Sequence, residues 1–178
     1  LFRSEAGLPV AHKPDSQEIC FVQDNDYTSF IRRYTGKEPP PGNFIDQAGN
    51  VLGTHKGITH YTIGQRKGLG ISFGKPMFVT KIDPISNTVT LGENGSQYAS
   101  SLIAGKVNLI SADTLESPIS AQVKVRYQAP PAPARLTPLD NGKIRVDFQE
   151  PQRSVTPGQA AVFYDGDLVL GGGIIETV

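Results

Sequence analysis

The sequence has few of the residues that stabilise small secreted proteins: it contains one cysteine, one methionine and no tryptophan among 178 residues. A single cysteine can neither form an internal disulfide nor supply the ligands of a cysteine zinc site. The chain is therefore no disulfide scaffold, and one free thiol suits a reducing compartment. We expect a cytoplasmic protein.

The sequence also has no net charge, since 17 basic residues balance 17 acidic ones. Overall charge therefore does not predict attraction to nucleic acid. The basic residues are unevenly spread, however: residues 51–82 hold five basic and no acidic residues, and residues 121–153 hold six basic against three acidic. Such segregation can place a positive face on a neutral protein, although scattered solvated charges remain the alternative.

Three further patterns are missing. No apolar run approaches the ~20 residues of a membrane helix, so we expect no membrane partner. The sequence shows no positively charged leader followed by an apolar stretch, so we expect no signal peptide. The segment GQRKGLGISFG (Gly64–Gly74) does not match a phosphate loop, so no cofactor site is predicted; it is a structural loop or an RNA-backbone contact. His55 and His60 have no third ligand nearby, and we predict no metal site.

Glycine and proline are frequent, at 19 and 14 residues, and they separate short segments rich in Val, Ile, Phe and Tyr. This pattern predicts a mainly β protein. At the start of the chain we expect the end of a helix at Phe2–Gly7 and a short strand at Leu8–Ala11. The one clear helix is expected at Asp24–Arg33, capped by Asp24 or Asn25. Two hairpins are expected, Asn43–Ile45 with Val51–Leu52 across a turn at Gln47–Asn50, and Pro76–Asp83 with Thr88–Gly92. We also expect a turn at Pro157-Gly158 and a bulge or close strand crossing at Gly171–Gly173. Six later strands predict a small closed barrel: Leu102–Ser111, Ile119–Tyr127, Ala134–Leu139, Lys143–Gln149, Ala160–Tyr164 and Leu168–Val178.

The single cysteine, Cys20, follows a polar run and lies in an apolar triplet, within KPDSQEICF (Lys13–Phe21). Free cysteines are among the most buried residue types, so a structural role is the first interpretation. A reactive thiol is the other, and the motifs downstream favour it.

Five motifs occur in order along the chain: DSQEICF, GTHKGITHYTIGQRKGLGI, VRYQ, EPQRSVTPGQAAVFYDGD and LGGGII. Together they resemble the bacterial tRNA-specific 2-thiouridylases, also called tRNA (5-methylaminomethyl-2-thiouridylate)-methyltransferases. The resemblance covers essentially the whole chain. That family also has an ATP-binding domain with an SGGxDS phosphate loop and a first catalytic cysteine, and neither is present in this sequence. The chain therefore resembles the C-terminal portion of such an enzyme.

The resemblance implies three regions. Residues 1–23 would be the tail of an ATP-binding domain with a catalytic-cysteine loop, residues 24–97 a small central domain with one helix, and residues 98–178 a C-terminal β-barrel like those of translation factors. The implied enzyme replaces the C2 oxygen of the anticodon wobble uridine with sulfur. ATP, bound by the domain that is missing here, would activate that oxygen.

The resemblance also assigns roles to residues. Cys20 would carry a persulfide loaded by a sulfur-relay protein or a cysteine desulfurase, and a transient disulfide with the first cysteine would follow. Arg126, Tyr127 and Gln159 would contact tRNA. We expect these three residues to form one tRNA-contacting patch, assisted by Arg66 and Lys67 beside exposed glycine amides. We also expect a monomer.

Two alternatives remain open. The chain could be a non-catalytic RNA-binding β-barrel module with a structural cysteine. It could also transfer methyl groups, as the older name says, but nothing in the sequence resembles an S-adenosylmethionine site.

Overall fold

The computed structural model describes Val22 and residues 26–178. The chain divides into two compact units, Leu1–Pro39 and Pro40–Val178. The expected helix end at Phe2–Gly7 and the strand at Leu8–Ala11 lie outside the described residues. The mainly β fold predicted from the sequence is confirmed.

Helix α1 (Tyr27–Thr35) is the one α-helix in the described part of the first unit. Its cap is Asp26, whose Oδ1 accepts a hydrogen bond from the backbone N–H of Ser29 at 3.0 Å. An aspartate in this position satisfies an N–H that has no partner in the first turn. The predicted helix is confirmed, but its predicted bounds, Asp24–Arg33, were wrong: the cap is Asp26 rather than Asp24 or Asn25, and the last turn continues to Thr35.

The first half of the second unit is a four-stranded sheet in the order β2-β1-β4-β3. β1 runs parallel to β4, and both other pairs are antiparallel. Both predicted hairpins, β1–β2 and β3–β4, are confirmed. The strands are β1 (Gly42–Ile45), β2 (Val51–His55), β3 (Phe78–Asp83) and β4 (Thr88–Gly92).

The turn of the first hairpin is held by one side chain. Asp46 Oδ1 accepts hydrogen bonds from the backbone N–H groups of Ala48 at 2.9 Å and Asn50 at 2.8 Å. Its Oδ2 accepts from the Asn50 side-chain amide at 2.9 Å. An aspartate that bonds the backbone two residues on stabilises a turn locally, which explains the predicted turn at Gln47–Asn50.

The second half is a closed barrel of six antiparallel strands in the order β10-β5-β8-β7-β6-β9. Closure removes the unpaired edges of the sheet. The strands are β5 (Tyr98–Leu109), β6 (Ile119–Lys124), β7 (Ala132–Pro138), β8 (Ile144–Arg153), β9 (Ala160–Asp165) and β10 (Leu168–Thr177). The predicted barrel is confirmed, with β5 starting four residues earlier than expected and β6 ending three residues earlier.

Each sheet has its own hydrophobic core. Phe44 is fully buried in the core of the four-stranded sheet β1–β4, called the central sheet below. Its ring meets that of Tyr61 edge to face, with centroids 5.1 Å apart. Phe163 is fully buried inside the barrel. Two separate cores allow the two sheets to present different surfaces.

The glycine run Gly171–Gly173 lies where neighbouring strands come closest. A Cβ at Gly172 would lie 2.6 Å from the carbonyl oxygen of Ala161, and one at Gly173 would lie 2.8 Å from that of Gly105. The register of β10 also shifts around this run. The predicted bulge and close strand approach are therefore confirmed, because no larger residue fits there without displacing the backbone.

Candidate nucleic-acid interface

The antiparallel pairing of β6 with β9 brings together two segments that are distant in the sequence. Lys124, the last residue of β6, pairs with Val162 near the start of β9. Residues that follow β6 therefore meet residues that precede β9 at one end of the barrel. Those residues are the predicted Arg126 and Tyr127 on one side and Gln159 on the other.

Arg126 and Tyr127 lie in a turn. The backbone N–H of Ala129 donates to the carbonyl oxygen of Arg126 at 3.2 Å. The strand had been predicted to continue to Tyr127, but it ends at Lys124. This turn carries the chain out of the sheet after β6, and the strand ladder resumes with β7 at Ala132.

Gln159 closes a second turn. Its backbone N–H donates to the carbonyl oxygen of Thr156 at 3.2 Å, and Gly158 between them has φ +87°. Pro157 at the second position and a glycine with positive φ at the third define a type II turn. The predicted turn at Pro157-Gly158 is confirmed, and the Gln159 side chain is exposed.

A groove of about 510 Å³ lies between these two turns. It is lined by Lys124, Val125, Arg126, Tyr127, Gln159, Ala160, Val162 and Tyr164. Two lining residues are cations and none is a carboxylate. Two other clefts of the described residues carry carboxylates, from Asp46 and Glu93 in one and from Asp113 in the other. The groove therefore combines positive charge with an apolar and aromatic surface, which suits a nucleotide.

Arg126 is half-buried and partly used by the protein itself. Its Nη2 donates to the carbonyl oxygen of Ile63 at 3.5 Å, and its Nε is buried without a hydrogen-bond partner among the described residues. Arginine has five N–H donors, so donors remain for a ligand. The side chain therefore links the segment around Ile63 to the barrel as well as lining the groove.

The loop that carries Arg66 and Lys67 packs closely on the barrel at its start. A Cβ at Gly64 would overlap Oγ of Ser154, and Gly64 has φ +85°. Leu69 is buried in the core of the central sheet, whereas Arg66 and Lys67 are exposed. Arg66 lines a second cleft of about 410 Å³ rather than the groove. The predicted basic residues thus lie on two surfaces.

Comparison with known proteins matches the central sheet and the barrel to two different domain families. Residues 28–93 match the tRNA methyl transferase PRC-barrel domain, and residues 99–175 match the aminomethyltransferase beta-barrel domain. The tRNA-specific 2-thiouridylase MnmA of Acetivibrio thermocellus is 59% identical over 172 residues, which is 97% of this chain and 48% of that protein. The chain is homologous to the tRNA-specific 2-thiouridylases over about half of their length.

Other relatives agree. The tRNA-specific 2-thiouridylase MnmA of Clostridioides difficile is 55% identical over 97% of this chain, and MnmA 2 of Caldanaerobacter subterraneus subsp. tengcongensis is 56% identical over 96%. The chain spans about half the length of these relatives, at 48% and 47%. The resemblance of its motifs to this thiouridylase family is confirmed.

The two histidines of the family motif GTHKGITH differ in environment. His55 is 2% exposed, its Nδ1 accepts from the N–H of Gly57 at 3.0 Å, and its Nε2 therefore donates to the carbonyl oxygen of Asn87 at 3.2 Å. Burial lowers the pKa of His55, because desolvation disfavours the charged ring. His60 is exposed. Among the described residues, no three His, Cys, Asp or Glu side chains lie close enough to share a metal ion.

Cys20, the predicted catalytic residue, lies outside the described residues, so its role stays a prediction. In the part of the chain that the structure describes, no helix is long and apolar enough to cross a membrane.

Two groove residues were not found from the sequence. Lys124 and Tyr164 lie on strands at alternate positions, among neighbours whose side chains fill the barrel. The alternation was visible in the sequence, but the pairing that brings both residues to the same groove was not.

Proposed function

We propose that this chain is the tRNA-holding part of a tRNA 2-thiouridylase that places sulfur on C2 of the anticodon wobble uridine. The supporting observation is the groove, which gathers Arg126, Tyr127 and Gln159 from two separate turns. Phosphate contacts and ring stacking are the main means by which proteins hold RNA. The relatives, named tRNA-specific 2-thiouridylase, supply the reaction.

In this proposal Cys20 carries the sulfur. Its thiolate accepts a sulfane sulfur from a relay protein or a cysteine desulfurase, and the outer sulfur of the resulting persulfide attacks C2 of the uridine, whose adenylated oxygen leaves as AMP. The first catalytic cysteine, in the remainder of the enzyme, then attacks Sγ of Cys20; this breaks the S–S bond, leaves the sulfur on the uridine and joins the two cysteines in a transient disulfide that a cellular thiol reduces. A thiol with this task must ionise and be reachable. The polar residues before it, Asp15 to Gln17, are typical of an accessible loop. This sequence has no phosphate loop for ATP, so ATP binding is proposed for the remainder of the enzyme.

The chain alone should therefore form no 2-thiouridine. Incubation with ATP, a persulfide donor and unmodified tRNA, followed by nucleoside mass spectrometry, checks this. Detection of an ATP-dependent product would contradict the division of labour proposed here.

Binding of tRNA is tested by substitution in the groove. Arg126→Ala should weaken tRNA binding by on the order of 1–3 kcal/mol, because a charge-assisted hydrogen bond to phosphate is lost. Gln159→Ala should weaken it as well. Arg135→Ala is the matched control, since Arg135 is an exposed barrel arginine that does not line the groove.

Affinity is measured at two salt concentrations, because phosphate contacts make binding fall steeply with salt. Unchanged affinity for both Arg126→Ala and Gln159→Ala, with the fold intact, would show that the groove does not hold tRNA.

A further inference from the structure

The outer face of β6 and β9 extends the groove beyond Arg126, Tyr127 and Gln159. Val123 pairs with Phe163, and both side chains are buried inside the barrel, at 1% and 0% exposure. Since successive side chains of a strand point to opposite faces, the flanking residues Lys124, Val162 and Tyr164 face outward. The pairing thus builds one continuous surface from two strands.

This surface carries two tyrosines. Tyr127 follows β6 and is 65% exposed, while Tyr164 is half-buried toward the end of β9. Both line the groove, together with the short aliphatic side chains of Ala160 and Val162. Phosphate binding requires no aromatic or aliphatic lining, whereas a nucleobase gains from both.

Lys124 contacts the ring of Tyr127. Its Nζ lies 5.5 Å from the ring centroid, within the range of an attractive cation–π interaction. The ammonium group therefore restrains the exposed ring, and it also remains at the groove as a cation for a phosphate. Because a restrained ring loses less entropy on binding, this contact prepares the surface for stacking.

We propose that the β6–β9 groove binds an unpaired nucleotide of RNA, with the base against Tyr127 and Tyr164 and the adjoining phosphate near Lys124 and Arg126. This inference rests on the proposed function, because it specifies which part of tRNA the groove holds. Bases inside a duplex are covered on both faces by their neighbours and cannot lie on a tyrosine ring. The groove thereby selects a loop, bulge or end over a duplex.

The test compares two RNA probes with equal numbers of phosphates: a hairpin with an unpaired loop and a fully paired duplex. Dissociation constants for the chain are measured by fluorescence anisotropy. The wild type should bind the hairpin more tightly. Tyr164→Ala should weaken hairpin binding about five- to tenfold, as expected for the loss of one base–aromatic stack, and should leave duplex binding unchanged.

Matched variants separate stacking from folding. Tyr164→Leu keeps apolar bulk and should lose the same preference, whereas Tyr164→Phe keeps the ring and should retain it. Tyr98→Ala, which removes an exposed tyrosine of β5 outside the groove, should have no effect. Lys124→Gln should reduce the preference more than Lys106→Gln, since Lys106 is exposed on β5 away from the groove.

The outcomes distinguish this inference from the proposed function. If Arg126→Ala weakens tRNA binding but both Tyr164→Ala and Tyr164→Leu leave the hairpin preference intact, the groove holds phosphates only and the inference is overturned. If the chain instead dimerises through this face, and Tyr164→Ala abolishes dimerisation without changing RNA affinity, the face is a self-association surface and the inference is equally overturned.

Discussion

The loop Gly64–Gly74 and the β6–β9 groove are both basic, but they are built in opposite ways. The loop is one continuous segment whose charges, Arg66 and Lys67, are exposed. The groove draws Arg126 and Gln159 from distant segments, and its arginine is half-buried with a hydrogen bond to Ile63.

The difference in burial between the loop charges and Arg126 gives the two regions different roles in binding: long-range attraction for the loop and specific contact for the groove. Exposed charges on a loop can neutralise phosphates of any sequence at little cost to the fold. A half-buried arginine within a lined groove has one restricted geometry, so it can distinguish one ligand arrangement from another. We therefore expect the loop to contribute salt-dependent affinity and the groove to contribute selectivity.

The largest effect is expected for Cys20, which belongs to neither the loop nor the groove. Its substitution tests whether those two regions bind tRNA without taking part in the chemistry. In a full-length enzyme, Cys20→Ser should abolish 2-thiouridine formation while tRNA affinity stays unchanged, because the sulfur carrier is removed and the binding surfaces remain. Mass spectrometry of tRNA nucleosides measures the product. Full activity of Cys20→Ser would favour the RNA-binding module with a structural cysteine.

The next effect concerns the anchor of the loop. Leu69→Ala should lower the free energy of unfolding by about 2–5 kcal/mol, because Leu69 is buried in the core of the central sheet and its removal leaves a cavity. Denaturant titration measures the change. Leu168→Ala, at a leucine that is 58% exposed, is the control. An equally large decrease in its free energy of unfolding would contradict the assignment of the effect to the burial of Leu69.

A smaller effect is expected for the loop charges. The double variant Arg66→Gln with Lys67→Gln should weaken binding of all RNAs alike and reduce the salt slope of log Kd by about two units, one for each phosphate contact. Titrations at several salt concentrations give the slope. A selective loss for one RNA would mean that the loop recognises a specific feature and that the comparison drawn above is wrong.

The smallest effect is a pH dependence of stability from His55. Its pKa is lowered in the folded state, so below the unfolded value of 6.5 the unfolded chain binds more protons. Stability is therefore complete above that pH and falls as the pH decreases below it. His55→Gln should flatten the acid limb of the unfolding free energy, whereas His60→Gln, at an exposed histidine of the same segment, should not. An unchanged acid limb in His55→Gln would contradict this assignment.

Local sequence signals predicted most of the fold. Alternating apolar residues separated by Gly and Pro predicted the β strands. The segments Gln47–Asn50, Pro157-Gly158 and Gly171–Gly173 predicted turns and a close strand approach that the structure confirms. These predictions succeeded because each depends on the chemistry of a few adjacent residues. The start of α1 and the end of β6 were missed, because the cap at Asp26 and the turn between Arg126 and Ala129 act through hydrogen bonds that periodicity does not report.

The candidate site divides in the same way. The sequence by itself determined the family resemblance, the separation of two basic segments and the residues Arg126, Tyr127 and Gln159, because motifs are continuous stretches of chain. Only the tertiary structure decided that Arg126 and Gln159 share one groove, that Lys124 and Tyr164 belong to it and that Arg66 does not. The physical reason is strand pairing: hydrogen bonding between β6 and β9 joins residues that no local pattern connects, and the inward–outward alternation then selects which side chains reach the surface.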